Sequence, residues 1–449
     1  MPLVTLTLTR SAIAVSAVGL AVRLPWLIVT LPAGVVADRH PPPRVMRWAA
    51  AARLPLTAVA VVLALAHLLS VWELVLVAFA VASAGIAVDV SAQSMLPRMV
   101  TGEQLRAANQ RLQTTQRLAS QLVGPAIGGY AAALGSAWGP GAAAALYLAT
   151  VCALSLMTAP RAPSAQGPGA EPEPEAPAPG RDGPVRALVT DLREGAAYFR
   201  HRPDLSRLAV VAGLSNLAFS MCVTILPVWA VAPGALGLSR GDYGLLLGSL
   251  AIGGLAGGAV ARRLLARLGD EPLLRWGGPL QGIWFLAVAV PSAPVVCIAL
   301  IYGGAVAMLW NLTVVSYRQT TIPHEIFGRV VAAYRWVTYG VLPLGSLLAG
   351  LVAGLAGPVW VFLTAGLITT VGGLPLAARK LSLARPGTPA PPVALEDLCT
   401  LPLWPPPRAR WTRYAPPNRP VTWSRSSSPA TRCMPGLRRT ARRSRWPTT

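Results

Sequence analysis

Long apolar runs, separated by short polar or basic connectors, dominate the pattern of this chain. They fall at roughly 12–36, 47–69, 73–96, 107–134 and 138–159, and again at roughly 206–232, 241–267, 272–291, 293–317, 329–356 and 358–380. As helices rising about 1.5 Å per residue, each can cross a hydrocarbon layer about 30 Å thick. The pattern predicts an all-α integral membrane protein with eleven spans, five before a central break and six after it.

The break, 160–185 (PRAPSAQGPGAEPEPEAPAPGRDGP), is Pro, Gly, Ala and Glu with hardly a large apolar residue, a linker composition that buries no core. Behind it, Leu188, Leu192, Ala196 and Phe199 recur at helical spacing among charges over 186–202, which predicts an amphipathic helix on the membrane surface. The expected organisation is an N-terminal bundle over 1–159, a linker and surface helix over 160–205, a six-helix bundle over 206–384 and a tail over 385–449. Transporters are commonly built from two matched halves, so five spans plus six is uneven. The opening MPLVTLTLTR is too short to span and reads as the outer end of a first helix of an expected twelve, largely missing through a misplaced start or truncation. The tail holds 14 prolines with scattered Arg, Ser and Trp; it reads either as a disordered basic tail or as a shifted reading frame.

Composition supports the membrane reading: of 449 residues, 53% are apolar and 12% charged, and the mean hydropathy is +0.52. A net charge of +22 would suggest a nucleic-acid partner in a soluble chain. Its distribution argues otherwise: 12 basic residues belong to the tail, and of the remaining 27, 24 lie at or near one side of the predicted membrane. Arg10 and Arg240 lie on the other side and Arg23 inside a span, which is the positive-inside pattern. It orients the linker and C-terminus to the cytoplasm and implies no polyanionic ligand. Cys152, Cys222, Cys297, Cys399 and Cys433 follow no metal spacing and are read as inert. The N-terminus has no basic segment ahead of a short apolar core, so no cleaved signal peptide is expected.

Two local echoes link the halves. LPRMVTGEQLRAANQ (96–110) recurs in form as IPHEIFGRVVAAYR (322–335), and the Gly/Pro-rich middles GPAIGG (124–129) and LPLGSLLAG (342–350) follow those connectors. The sharpest signal is LPAGVVADRHPPPRVMR (31–47), where Gly34 permits close helix contact, Asp38 can cap or pair, and Arg39, Arg44 and Arg47 hold a turn on the basic side. This resembles the loop between the second and third helices of the major facilitator superfamily, with Pro41, Pro42 and Pro43 replacing the usual Gly and Arg positions. The resemblance implies that Gly34, Asp38, Arg39 and Arg44 form a conformational latch; a plain basic turn without a gating role is the alternative. In the second signal, Pro125 removes a backbone hydrogen bond and Gly124, Gly128 and Gly129 let a neighbour approach closely. It resembles the fifth-helix motif of the drug/proton antiporters of that superfamily, with Ser120 where the motif often opens with Gly. The resemblance covers residues 1 to about 384, is closest to the multidrug, macrolide and enterobactin exporters, and implies export.

Charged groups inside spans cost about 2.5–3.5 kcal/mol each at a helix centre. Arg23, near mid-span, is expected to face a wet cavity or pair with an acid; it can bind an anionic part of a substrate or form a structural ion pair. Asp89, the carboxylate of the first-half spans, can exchange a proton across the cycle or pair with an arginine of the latch loop. Arg335 can contact substrate or snorkel to the inner surface. Asn216, Ser220, Thr224, Trp310, Asn311, Tyr317 and Tyr339 can line a central cavity or act as interhelical glue. GSLAIGGLAGGAV (248–260) lacks the Gly-Lys-Ser/Thr and the strand of a nucleotide loop, so it reads as helix packing, and ATP is not expected as energy source. His67 and His324 are too isolated for a metal site or catalytic pair.

The sequence therefore predicts two helical bundles around a cavity that opens alternately to either side of the plasma membrane. The expected activity is proton-coupled efflux of an amphipathic small molecule, an antiporter conferring multidrug resistance. No enzyme activity, cofactor, metal or nucleic acid is expected, and the chain is expected to be a monomer. Uptake of a metabolite on the same fold, or a truncated remnant without transport, are the alternatives.

Overall fold

The computed structural model describes residues 2–99 except 31, 34, 35 and 37–39, then 108, 111, 112, 115, 116, 119–135, 137–156, 198, 199, 202–322 and 326–378. Contacts divide the chain into Met1–Thr388 and Pro389–Thr449. The second unit, the linker 160–185 and most of the expected surface helix lie outside the described residues.

The first unit is helical. In the N-terminal part α1 is Pro2–Leu8, α2 Ala12–Ile28, α3 Pro42–Leu65, α4 Val71–Met99, α5 Gly124–Leu134 and α6 Trp138–Leu156. After the linker α7 is Pro203–Ala230, α8 Arg240–Leu268, α9 Asp270–Val288, α10 Ala293–Thr321, α11 Phe327–Gly340, α12 Leu342–Ala356 and α13 Pro358–Ala377. The ends follow ordinary chemistry. Ser11 accepts from the Ala14 amide to start α2, and Ser239 accepts from the Asp242 amide at 3.1 Å while donating to its carboxylate to start α8. Pro42 opens α3, where the missing N–H leaves nothing unsatisfied. Gly269 (φ +74°) and Gly357 (φ +97°) carry the tight reversals from α8 to α9 and from α12 to α13, a conformation costly for any residue with a Cβ.

Eleven uniform spans are not what is described. Eight helices are long and apolar enough to cross a membrane, with α11 and α12 counted as one interrupted span, and Ala12–Ile28 is a shorter apolar helix. The difference has local causes. Asp270, Glu271, Arg275 and Gln281 dilute the apolar run of α9. The run at 107–134 is described only in part before Ala119, where a wider π turn, Ala119–Val123, leads into α5.

In the N-terminal bundle α3 packs on α4 and α6, α2 on α4, and α5 on α6. Its core joins Val4, Val18, Ala21, Ala64, Leu74 and Ala78. In the C-terminal bundle α10 packs on α8 and α9, α13 on α7 and α9, and α12 on α7. A larger core there runs through Met221, Ile225, Phe285, Val288, Leu300 and Phe362. Outside these cores the surface is strongly apolar: Leu76 is 70% exposed, Leu156 84% and Leu355 89%. Such a surface costs free energy in water and none against lipid chains.

The Gly-rich stretch of α8 acts by close approach. A Cβ on Gly253 would stand 1.9 Å from the Ile301 carbonyl oxygen, and one on Gly257 2.5 Å from that of Ala305. The α8 and α10 backbones therefore touch, the small-residue packing characteristic of helices in lipid.

Candidate functional site

The two bundles meet along two seams. The first joins α2 to α12 and to the middle of α7. One face of α2, at the i, i+3, i+4 spacing of a helix, presents Ile13, Ser16, Gly19, Arg23 and Leu27 in turn. Opposite them, a Cβ on Gly354 would stand 3.4 Å from Ile13, one on Gly350 2.6 Å from the Ser16 Cβ, and one on Gly340 3.5 Å from Leu27. A Cβ on Gly19 would stand 3.0 Å from Thr224 Cγ2. Above α2, Arg10 reaches across and donates to the carbonyls of Val231 at 3.2 Å and Ala232 at 2.5 Å, just past the C-terminal, partially negative end of α7.

The second seam joins α5 to α8. Pro125 lies in the first turn of α5, where its missing N–H leaves the preceding turn free to widen, and that turn is the π turn. Gly124 is required there, because its Cβ would stand 2.9 Å from the Ala119 carbonyl oxygen. Ser120 lies in the same turn, exposed. Gly129 faces α8: a Cβ would stand 2.7 Å from the Arg240 carbonyl oxygen and 3.1 Å from Gly244 Cα. Gly128, one residue earlier, has nothing within 4 Å. A cavity of about 310 Å³, lined among others by Thr7, His67, Gly135 and Arg240, gathers the turns after α1, α3 and α5 and the start of α8 at one end. The second seam and, through Arg10, the Ala12 end of the first seam lie at this end, while the first seam continues along α2 to Leu27.

Arg23 sits in the first seam without a carboxylate. Its Nη1 donates to the Gly19 carbonyl at 3.4 Å, to Thr224 Oγ1 at 3.4 Å and to Ser346 Oγ at 3.2 Å. Ser220 and Thr224, a turn apart on α7, and Ser346 on α12 form one hydroxyl cluster, with both Ser220 and Thr224 3.1 Å from Ser346. Ser220 also donates to the Leu342 carbonyl at 2.6 Å, and Thr224 to that of Ser220 at 2.6 Å. Ser220 and Thr224 are thus seam residues that the guanidinium binds; Ser346, unremarked in the sequence reading, completes the set.

Asp89 lies inside α4 and accepts from Gln116 Nε2 at 3.5 Å. Among the described residues its cationic neighbour is Arg53 of α3. Arg53, counted with the basic side, is the twelfth residue of α3. Its guanidinium lies 4.9 Å from the Tyr147 ring centroid and occupies the notch left by Gly85, where a Cβ would come within 2.2 Å of Nη2. Its Nε is buried with no hydrogen-bond partner. Arg335 is exposed on α11, while its neighbour Arg318 lies 4.0 Å over the Tyr334 ring. Of the latch loop, Gly34, Asp38 and Arg39 lie outside the described residues; Arg44 is exposed in the first turn of α3.

The remaining cavity candidates divide. Asn216 donates to the Thr338 carbonyl at 2.9 Å and ties α7 to α11. Trp310 is buried between α9 and α10, its indole donating to the Leu274 carbonyl at 3.3 Å over Gly277. Tyr317 is buried as well, whereas Asn311 and Tyr339 are exposed. Asn216 and Trp310 are therefore interhelical ties, the second of the two readings the sequence allowed.

Comparison with known proteins agrees with this architecture. A family model described as transmembrane secretion effector matches residues 3–386. The multidrug efflux pump Tap of Mycolicibacterium fortuitum is 29% identical over 364 residues, 77% of this chain and 82% of Tap. Among solved structures, a mutant of the nucleoside transporter NupG aligns with TM-score 0.62 and 13% identity over 82% of this chain and 91% of its own. A bacterial homologue of the human lysosomal transporter Spinster aligns with TM-score 0.55 and 15% identity, covering 84% and 93%. A bacterial homologue of the iron transporter ferroportin aligns with TM-score 0.52 and 16% identity, covering 84% and 98%. These likenesses establish a major-facilitator fold. The chain is a multi-pass membrane transporter, not an enzyme, and belongs to the transmembrane secretion effector family.

Proposed function

We propose that this transporter is a proton-driven exporter of amphipathic small molecules, an antiporter of the plasma membrane that works by alternating access as a monomer and without ATP. The observation that carries the reading is the pair of seams between the bundles, each lined by glycines (Gly340, Gly350 and Gly354; Gly129, Gly241 and Gly244) that let the helices meet closely and part. The efflux activity in the name of the Tap relative supports the outward direction. On this reading the linker, the latch residues Gly34, Asp38, Arg39 and Arg44, and the C-terminus face the cytoplasm. Asp89, whose cationic neighbour is Arg53, carries the proton, and movement of Arg53 between states changes the charge it faces. Arg335, exposed on α11, joins the mouth of the pathway with Tyr339 and Asn311.

Everted membrane vesicles containing the chain test this. With an acid interior they are expected to accumulate a lipophilic dye, and a proton uncoupler is expected to abolish the accumulation. Dye leaving the acidified vesicles instead, or uptake indifferent to the uncoupler, would refute direction or coupling respectively.

A further inference from the structure

Arg23 is a cation at mid-span whose partners are all neutral, and the hydrogen bonds of its guanidinium all leave from one corner, Nη1. The hydroxyls it meets spend their own hydrogens elsewhere. Ser220 donates to Leu342 O and Thr224 to Ser220 O, and Ser346 is within 3.1 Å of both hydroxyls. The cluster therefore offers lone pairs to Nη1 and brings no negative charge. Among the described residues no carboxylate contacts Arg23: Asp204 pairs with Arg207, Glu271 with Arg275, and Asp89 accepts from Gln116. Tyr243, the other titratable neighbour, is a buried phenol.

The other edge of the guanidinium makes no hydrogen bond, on a residue that is partly buried. Among the described residues Nε and Nη2 have no hydrogen-bond partner, and unlike Nε of Arg53 and Arg318 they are not sealed polar atoms. This edge presents two parallel N–H donors, the fork that accepts both oxygens of a carboxylate. A lone guanidinium at this depth gains from an anion far more than it would in water, because the surroundings screen little. Thr224 and Ser346 belong to the opposite bundle, so Arg23 loses both when the seam parts and keeps only Gly19 O on its own helix. An anion on the other edge compensates for that loss.

We infer that Arg23 is the anion-binding point of the transport pathway, and that preferred cargo carries a carboxylate on an apolar body. The inference rests on the export reading above. The test uses three probes sharing one fluorescent apolar body: pyrenebutanoate, its methyl ester and pyrenebutyl-trimethylammonium. Transport by the full chain in proteoliposomes is compared for the native protein, Arg23→Lys and Arg23→Gln, with binding to the detergent-purified proteins read by tryptophan quenching.

The native chain is expected to favour the carboxylate over the ester about tenfold in kcat/KM. Arg23→Gln should erase that preference while still moving the ester, and Arg23→Lys, which keeps the charge and loses the fork, should restore part of it. An unchanged carboxylate-to-ester ratio in Arg23→Gln would overturn the inference and leave export standing. If the native chain moves none of the three, the export reading falls and binding alone decides. Carboxylate binding weakened about tenfold in Arg23→Gln then upholds the anion site, and equal binding refutes it.

Discussion

Replacing Gly129 by alanine adds one methyl group at the place where α5 lies on the backbone of α8. The new Cβ would stand 2.7 Å from the Arg240 carbonyl oxygen and 3.3 Å from the Gly244 nitrogen, whereas ordinary contact begins at 3.4 Å. The obstacles are backbone atoms on the opposite bundle, so no rotamer change relieves the clash and the seam must open by about 0.7 Å at its tightest point. Overpacking of this kind costs about 1–3 kcal/mol. The cost falls only on the state in which this seam is closed, so it shifts the equilibrium toward the parted state by about 5–150-fold. Gly128→Ala is the matched control, since its Cβ meets nothing within 4 Å. The assay is the distance distribution between spin labels on His67→Cys, in the turn after α3, and Ala235→Cys, in the connector before α8, on a background lacking the native cysteines. Gly129→Ala should move population to longer distances and Gly128→Ala should not. Identical distributions in the two variants would refute the claim that this seam gates the closed end.

Four further outcomes are expected. Arg10→Ala removes both hydrogen bonds to Val231 and Ala232 and should raise thiol-reagent access at the Ala235→Cys position several-fold, measured by labelling rate. Gly253→Val sets side-chain atoms against the Ile301 carbonyl and should destabilise the C-terminal bundle by several kcal/mol, read as early thermal aggregation in detergent. Arg275→Met removes the guanidinium that donates to Ala377 O at 3.0 and 2.6 Å, at the C-terminal end of α13; the loss, about 1–2 kcal/mol, should lower Tm by a few degrees. Gly85→Ala pushes the end of the Arg53 side chain from its notch, so it should reduce uncoupler-sensitive transport while leaving Tm nearly unchanged.

The helical class was legible because a hydrocarbon layer demands long apolar runs with internally satisfied backbones, and nothing else in a sequence looks like that. Position along a run was legible too: Arg23 and Asp89 stand inside helices as expected. Direction around a helix was not. With lipid on one side and apolar core on the other, α7 and α10 are apolar over most of their circumference, so Asn216 and Trp310 could equally have been cavity residues or ties. Arg53 was not singled out in the sequence, where it is one of many basic residues near one side; its place twelve residues into α3 shows only once the helix is seen to start at Pro42. The i, i+4 pair Ser220 and Thr224 was a visible hint of one polar face. Its completion by Ser346, 122 residues beyond Thr224, depends on how α12 meets α7.

The two seams differ in what their parting exposes, and that difference assigns them different work. Along α5 and α8, Gly129, Gly241, Gly244 and the Tyr130 ring meet as apolar or backbone surface, and separation exposes little that water must compensate. Along α2 and α12, separation strips Arg23 of Thr224 and Ser346 and leaves a cation with one carbonyl partner. The α5–α8 seam can therefore open on thermal motion alone, while the α2–α12 seam opens at an electrostatic cost that a bound anion removes. A transporter with one permissive seam and one ligand-dependent seam cycles slowly when empty and quickly when loaded. That asymmetry limits proton leak, because unloaded cycles are the ones that would dissipate the gradient. It also predicts that Arg23→Gln, by removing the charge that holds the α2–α12 seam shut, raises uncoupled proton flux through empty proteoliposomes, measurable with a trapped pH dye. A flux equal to that of the native chain would show that the hydroxyl cluster alone, and not the charge, keeps the seam closed.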